Sequence, residues 1–149
     1  VNVRHTVREY EAAGVAAIHI EDQVAPKRCG HLPGSRPVIE LAEAALKIEA
    51  AVAARSDPDF IIIARTDSAA GHGLDDAIKR VQTFRKAGAD VLFVELKTSP
   101  TLLEDMKRIT SSVDGPCPFC ARRTARSPTY PFRGASAWRG GASVRYSRT

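Results

Sequence analysis

A cysteine among charged side chains has the clearest capacity for chemistry in this chain. Cys29 lies between Lys27 and Arg28 on one side and His31 on the other. A thiol among cations and beside an imidazole can release or accept a proton near neutral pH. A cysteine is more often a buried structural residue, but the prolines and glycines of residues 21–37 indicate an irregular loop. The sequence therefore predicts acid–base chemistry at Cys29.

Ionisable residues also follow three apolar stretches of the chain. Glu21 and Asp22 follow the first stretch. Arg65 and Asp67 end the second, and Glu95 ends the third. Adjacent carboxylates can bind a metal ion, or they can be ordinary loop acids or helix caps. A guanidinium at the end of a buried stretch needs an anionic partner, which is either a neighbouring acid or the carboxylate of a substrate.

The pattern of apolar residues predicts the elements that position these groups. Continuous apolar strands are typical of a parallel sheet, and strands that alternate with helices indicate βαβ units. Active sites in such folds lie at the C-terminal ends of the strands, so the ionisable residues should converge on one rim. The predicted helices span 3–13, 38–55, 74–87 and 100–110, and the predicted strands span 15–20, 60–64 and 91–94.

Three segments resemble the isocitrate lyase/phosphoenolpyruvate mutase superfamily. They read Ile-His-Ile-Glu-Asp-Gln at 18–23 with Lys-Arg-Cys-Gly-His at 27–31, Ile-Ala-Arg-Thr-Asp at 63–67, and Ala-Gly-Ala-Asp-Val-Leu-Phe-Val-Glu at 87–95. Their order and spacing agree with the family. Within it, the chain looks most like the methylisocitrate lyase and dimethylmalate lyase branch. The resemblance covers about residues 1–114.

The resemblance implies a role for each candidate residue. It makes Cys29 the general acid and base at the enolate carbon, on a loop that closes over the site. Lys27 and His31 would support the cysteine. A solvated loop face is the alternative for these charged residues, and a structural ion pair with Glu95 is the alternative for Arg65. The residues implied in substrate binding are Arg28, Gly30, Arg65 and Glu95.

The resemblance also implies a divalent metal ion. Glu21 would belong to the shell of Mg²⁺, or of Mn²⁺ in its place, and would reach it through water. Asp22 would be structural. The family places its direct metal ligands in an Asp-x-Asp-x-Gly segment, which this sequence does not contain.

The implied fold class is α/β, a partial (β/α)8 TIM barrel of about three central βα units with parallel strands, followed by an irregular tail. A complete barrel needs about 250 residues, and this chain has 149 and no initiator Met, so we expect a fragment. Because the Asp-x-Asp-x-Gly segment is missing, we expect this fragment to be inactive alone. The implied parent activity is Mg-dependent carbon–carbon cleavage of a small di- or tricarboxylate through an enolate. An oxaloacetate hydrolase or a phosphonomutase is the alternative within the family. The resemblance further implies a homotetramer.

The basic charge belongs to the last part of the chain. Seven of the 22 Lys and Arg residues follow residue 114, where there is no acid, so residues 1–114 carry 15 basic and 17 acidic side chains. Residues 1–114 therefore lack the excess of basic charge that indicates nucleic-acid binding. We predict a family-like domain over 1–114 and a basic, low-order tail over 115–149, without a further strand. The tail is either a mistranslated segment or a real arm, and a non-catalytic, RNA-binding protein is the hypothesis from another class.

Several classes of protein are disfavoured by composition. No apolar stretch approaches the roughly 20 residues that span a bilayer, and the chain does not open with a secretory signal. Three cysteines do not form a disulfide scaffold. We therefore expect no membrane partner, a small carboxylate substrate, and a location in the cytoplasm or the mitochondrial matrix.

Overall fold

The computed structural model describes residues 2–29, 36–96 and 100–115, together with the backbone of residues 119–121. Within these residues no helix is both long enough and apolar enough to cross a membrane. Helices and strands alternate along most of the chain, as the apolar pattern predicts. The elements are α1 (Asn2–Ala12), β1 (Ala17–Glu21), α2 (Leu41–Val52), β2 (Ile61–Thr66), α3 (Ala69–His72), α4 (Leu74–Lys86), β3 (Val91–Leu96), α5 (Leu102–Ser111) and β4 (Phe119–Ala121).

The strands form one parallel sheet in the order β1-β2-β3-β4. The prediction of a parallel sheet is therefore confirmed. The prediction of no strand after residue 114 is wrong, because β4 pairs with the C-terminal end of β3. This strand is three residues long and follows Pro118, which is a residue that a strand tolerates at its start or at an edge. Such a short apolar run has no period to detect.

Alternate residues of each strand face the helices. In β2, Ile62 and Ala64 are completely buried, whereas Ile61 and Ile63 are only partly buried. Two hydrophobic clusters pack the buried set against α1, α2, α4 and α5. The other face of the sheet, with Ile63 and Phe93, takes part in neither cluster. Among the described residues, the core thus lies on one side of the sheet.

The start of α2 differs from its predicted boundary. Helix α2 begins at Leu41 rather than at residue 38. Val38 instead forms an antiparallel bridge with Gln23, and the Ile39 N–H donates to the Asp22 carbonyl at 2.8 Å. Pairing with Gln23 and Asp22 therefore keeps Val38 and Ile39 out of the helix. Helix α4 ends as predicted before Gly88, whose φ of +95° favours glycine.

Candidate functional site

The ionisable residues of three strands meet at the C-terminal rim of the sheet. The register pairs Glu21 of β1 with Arg65 of β2. Arg65 Nη2 lies 3.4 Å from Glu21 Oε1 and 3.4 Å from Glu95 Oε2 of β3. Its Nε and Nη2 atoms donate to the two oxygens of Asp67 at 2.9 and 3.1 Å. The predicted convergence on one rim is therefore confirmed for these four residues.

Arg65 is the centre of this cluster. Burial alone lowers the pKa of its guanidinium, but the hydrogen bonds and charges of Asp67, Glu21 and Glu95 raise it above its ordinary value. The guanidinium also lies 5.4 Å from the centroid of the Phe93 ring. Its side chain is 23% exposed. The structure thus contains the ion pairs expected from the structural alternative, and part of the Arg65 side chain remains exposed to solvent.

Asp67 and Glu21 have opposite pKa shifts. Burial raises the pKa of Asp67 to about 6, against the opposing effect of Arg65 and with the help of the hydrogen bond and charge of Glu21. Burial also raises the pKa of Glu21, but the hydrogen bond with Asp67 and the charges of Arg65 and Lys27 outweigh it and lower that pKa. Of the two carboxyls, Asp67 is therefore the one that binds a proton first as the pH falls. Arg36 Nε lies 3.3 Å from the same carboxyl of Asp67.

The loop after β1 brings Lys27 to this rim. Lys27 Nζ lies 3.2 Å from Glu21 Oε2, and the lysine side chain is half exposed. Cys29 is a free, exposed cysteine, and the side chain of Arg28 is also exposed. Gly30 and His31 lie outside the described residues. The roles of all five loop residues in catalysis and substrate binding, and closure of the loop, stay predictions.

Sequence reasoning did not find the buried ion pair beneath the rim. Arg80 Nη1 of α4 lies 3.3 Å from Asp22 Oδ2, and Arg80 Nε lies 2.7 Å from Asp76 Oδ2. Asp22 Oδ1 accepts the N–H of Asp67 at 3.0 Å. The spacing of four between Asp76 and Arg80 is visible in the sequence, but the partner Asp22 lies 58 residues away. The expectation that Asp22 is structural agrees with these contacts.

The described residues fit only part of a metal site. Among residues 2–29, 36–96 and 100–115, no group of three or more His, Cys, Asp and Glu side chains could hold a metal ion. Both oxygens of Glu21 are engaged, since Oε1 accepts from Gln23 Nε2 at 2.6 Å and Oε2 pairs with Lys27. Each carboxylate oxygen has a second lone pair, so Glu21 fits a contact through water. It does not fit a direct ligand.

Comparison with known proteins decides the family. The sequence profile described as phosphoenolpyruvate phosphomutase matches residues 1–131. The chain belongs to this family. The match extends beyond residue 114, where the resemblance was expected to end, and it includes β4.

Curated relatives and solved structures agree with this membership. The chain is 50% identical over 115 residues to 2,3-dimethylmalate lyase of Eubacterium barkeri and 44% identical over 115 residues to 2-methylisocitrate lyase of Shewanella oneidensis. Both alignments cover 77% of this chain and 38% of the relative. The chain thus spans about two fifths of the length of these lyases.

Two solved structures show the same architecture. Phosphoenolpyruvate phosphomutase from Streptomyces platensis subsp. rosaceus superposes with a TM-score of 0.72 and 40% identity, over 79% of this chain and 42% of that chain. Phosphonopyruvate hydrolase in complex with oxalate and Mg²⁺ superposes with a TM-score of 0.64 and 36% identity, over 80% of this chain and 40% of that chain. The predicted fold class, part of the barrel of these enzymes, is confirmed.

Proposed function

We propose that this chain forms the central part of a carbon–carbon lyase that cleaves a small dicarboxylate or tricarboxylate of the 2,3-dimethylmalate or 2-methylisocitrate type. The observation that carries the proposal is the Arg65 guanidinium at the C-terminal rim, contacted by carboxylates from the ends of three strands. The identity to two lyases supports the reaction class. The intact Lys-Arg-Cys-Gly-His segment at 27–31 favours a lyase over a phosphonomutase.

Arg65 would bind a substrate carboxylate without leaving its position. Its contacts with Asp67, at 2.9 and 3.1 Å, have the length of charge-assisted hydrogen bonds. Its contacts with Glu21 and Glu95, both at 3.4 Å, are longer and weaker. A substrate carboxylate would therefore replace the longer contacts at Nη2, while Asp67 keeps the guanidinium plane fixed. This division explains why one cation has several acidic neighbours.

Cys29 would transfer the proton. It follows the strand that ends in Glu21, it is exposed, and it lies on the loop that returns to this rim. In the proposed reaction the substrate hydroxyl loses its proton and becomes a carbonyl as the carbon–carbon bond breaks. The electrons of that bond pass to an enolate, the thiol donates its proton to the enolate carbon, and the proton released by the hydroxyl restores the thiol. A bound Mg²⁺ or Mn²⁺ would stabilise the negative charge of the enolate oxygens, with Glu21 in contact through water. Glu95 would border the substrate.

A chimera tests the proposal, because the chain by itself spans only two fifths of these lyases. The 115-residue segment of the Eubacterium barkeri enzyme that matches this chain is replaced by the corresponding segment of this protein, and cleavage of 2,3-dimethylmalate and 2-methylisocitrate is followed by NMR. We expect turnover of one substrate, and a loss of about 10²- to 10⁴-fold in the C29S variant, the contribution of a general acid–base. A folded chimera that cleaves only phosphonopyruvate or oxaloacetate, or whose C29S variant keeps full turnover, would contradict it.

The isolated chain is expected to behave differently from the chimera. We propose that it does not turn over these substrates, because its described residues do not complete a metal site. Turnover by the purified 149-residue chain would overturn this statement. The homotetramer and the compartment stay predictions, and the arginine-rich tail after residue 121 lies outside the described residues.

A further inference from the structure

The side chain of Gln23 connects the rim to the loop that carries Cys29. Gln23 Nε2 donates to Glu21 Oε1 at 2.6 Å and to the Arg28 carbonyl at 3.0 Å. Gln23 Oε1 accepts the Arg28 N–H at 3.0 Å. Both N–H groups of the amide and its oxygen are thus used. Because the residue is only 4% exposed, these bonds are shielded from competing water.

The Gln23 amide pairs with Arg28 as a neighbouring strand would. It bonds to both the N–H and the C=O of a single residue, which is the pattern of one rung in a β-ladder. The loop backbone at Arg28 is therefore held in place as the backbone of an edge strand is held, although it is not part of a strand. Arg28 is bonded directly to Cys29 along the chain, so the thiol can move only within the freedom of its own backbone and side-chain dihedrals.

The other contacts of the loop act elsewhere. Backbone hydrogen bonds close its base, from the Val24 N–H to the Pro37 carbonyl at 2.9 Å and from the Ile39 N–H to the Asp22 carbonyl at 2.8 Å. The ion pair of Lys27 with Glu21 is half exposed on the lysine side, and exposed pairs contribute little. The buried Gln23 amide is the described contact best suited to position the segment next to Cys29.

We propose that Gln23 is a positioning residue that holds the Arg28–Cys29 segment at a fixed place beside Glu21 and Arg65. The chemical importance of that place rests on the proposed function, whereas the positioning itself does not. A glutamine at the end of a strand shows no such role in the sequence, because the partner is the backbone of a residue five positions later.

Hydrogen exchange and a spin label test the positioning in the full 149-residue chain. Q23M keeps the length of the side chain and removes all of its hydrogen bonds. Amide exchange at Arg28 is measured by NMR, and a nitroxide on Cys29 is examined by EPR in a background with C117S and C120S. The matched control is Q82M, since Gln82 donates to the Ser112 carbonyl on the surface away from the rim.

We expect Q23M to accelerate Arg28 exchange about tenfold, the factor set by the net free energy of about one hydrogen bond. The EPR spectrum of the label should narrow, while exchange at Val24 and the melting temperature stay close to those of the parent. Q82M should change neither signal. If Q23M does not fold, Q23N, which keeps the amide but is one methylene too short, replaces it.

Three outcomes would overturn the proposal. They are unchanged Arg28 exchange in Q23M, equal acceleration at Arg28 and Val24, which would mean that the loop base has opened, and the same changes in Q82M. The chimera then separates positioning from function. A released loop together with a C29S chimera that keeps its turnover would refute the proposed function alone. A chimera that loses turnover in C29S but is insensitive to Q23M would refute the importance of the positioning for catalysis.

Discussion

Asp22 and Arg80 form an almost completely buried ion pair beneath the candidate site, with 3.3 Å between Oδ2 and Nη1. Arg80 also donates to the Ile39 carbonyl at 3.0 Å, and Asp22 accepts the N–H of Asp67. The pair therefore joins α4 to the ends of β1 and β2 and to the segment that enters α2. Because the loop with Cys29 starts and ends at this junction, the pair supports the geometry of the rim.

Removing the cation of this pair should destabilise the protein strongly. R80M leaves the Asp22 carboxyl buried without its charge partner, and burial already raises the pKa of Asp22 against the effect of Arg80. Loss of one partner of a buried pair costs about 3 kcal/mol or more, which urea unfolding measures. R108M is the matched control, since Arg108 pairs with Asp75 on the surface, and it should cost less than about 0.5 kcal/mol. Equal losses in the two variants would contradict the prediction.

The free energy of unfolding should depend on the protonation of Asp67 between pH 4 and 6. Its folded pKa is raised from 3.8 to about 6, so the folded state binds this proton more tightly than the unfolded chain. The contribution of Asp67 to the free energy of unfolding is complete below pH 3.8 and is lost as the pH rises through about 6. This free energy should change by at most about 1.4 kcal/mol per pH unit.

The D67N variant isolates this dependence. The lowered pKa of His19, caused by burial and by Arg65, acts with the opposite sign as the pH falls below 6.5, and the lowered pKa of Glu21 acts below 4.5. The free energy of unfolding is therefore measured at pH 4.5, 5.5 and 6.5 in both proteins. The excess stability of the parent over D67N should fall as the pH rises. A difference that is constant or grows with pH would refute the assignment.

Arg65 should not tolerate lysine in the chimera. R65K keeps a positive charge but cannot make the paired hydrogen bonds of Nε and Nη2 to Asp67. We expect kcat/KM for the cleaved dicarboxylate to fall about tenfold to a hundredfold, which corresponds to the loss of a charge-assisted hydrogen bond. R108K, on the exposed face of α5, should leave kcat/KM unchanged. Full activity of R65K would exclude Arg65 from substrate binding.

The face of the sheet opposite the described helices should bind a hydrophobic dye. Parallel sheets are normally covered on both faces, and the face with Ile63 and Phe93 takes no part in the two core clusters. We expect the 149-residue chain to bind ANS, and I63T to reduce that binding with little change in the free energy of unfolding. I62T, one residue away and completely buried, should instead cost about 3 kcal/mol. A chain that binds no ANS would show that this face is covered.

The repeated elements were predictable because their signals are local. Continuous apolar runs gave the strands 15–20, 60–64 and 91–94, and the parallel sheet followed from their alternation with helices. Convergence of Glu21 and Arg65 then followed from geometry, since the C-terminal ends of parallel strands share one edge. Each of these steps needs only residues that are close in sequence and one rule about how parallel strands are connected.

Other features depended on partners that are distant in sequence. The sequence around Val38 and Ile39 favours a helix. Both residues nevertheless lie outside α2, because their backbones pair with those of Gln23 and Asp22. Strand β4 is too short to show a period and exists because the edge of β3 is available to it.

The sequence by itself determined the family, the parallel α/β architecture and the acids, guanidinium and thiol that the rim collects. Only the tertiary structure decided which of them pair: the bidentate contact of Arg65 with Asp67, the contacts of Glu21 with Arg65 and Lys27, and the hydrogen bonds of Gln23 with Arg28. The physical reason is that hydrogen bonds and ion pairs act over about 3 Å. Their partners therefore depend on how the backbone folds, whereas apolar periodicity depends only on residues that are close in sequence.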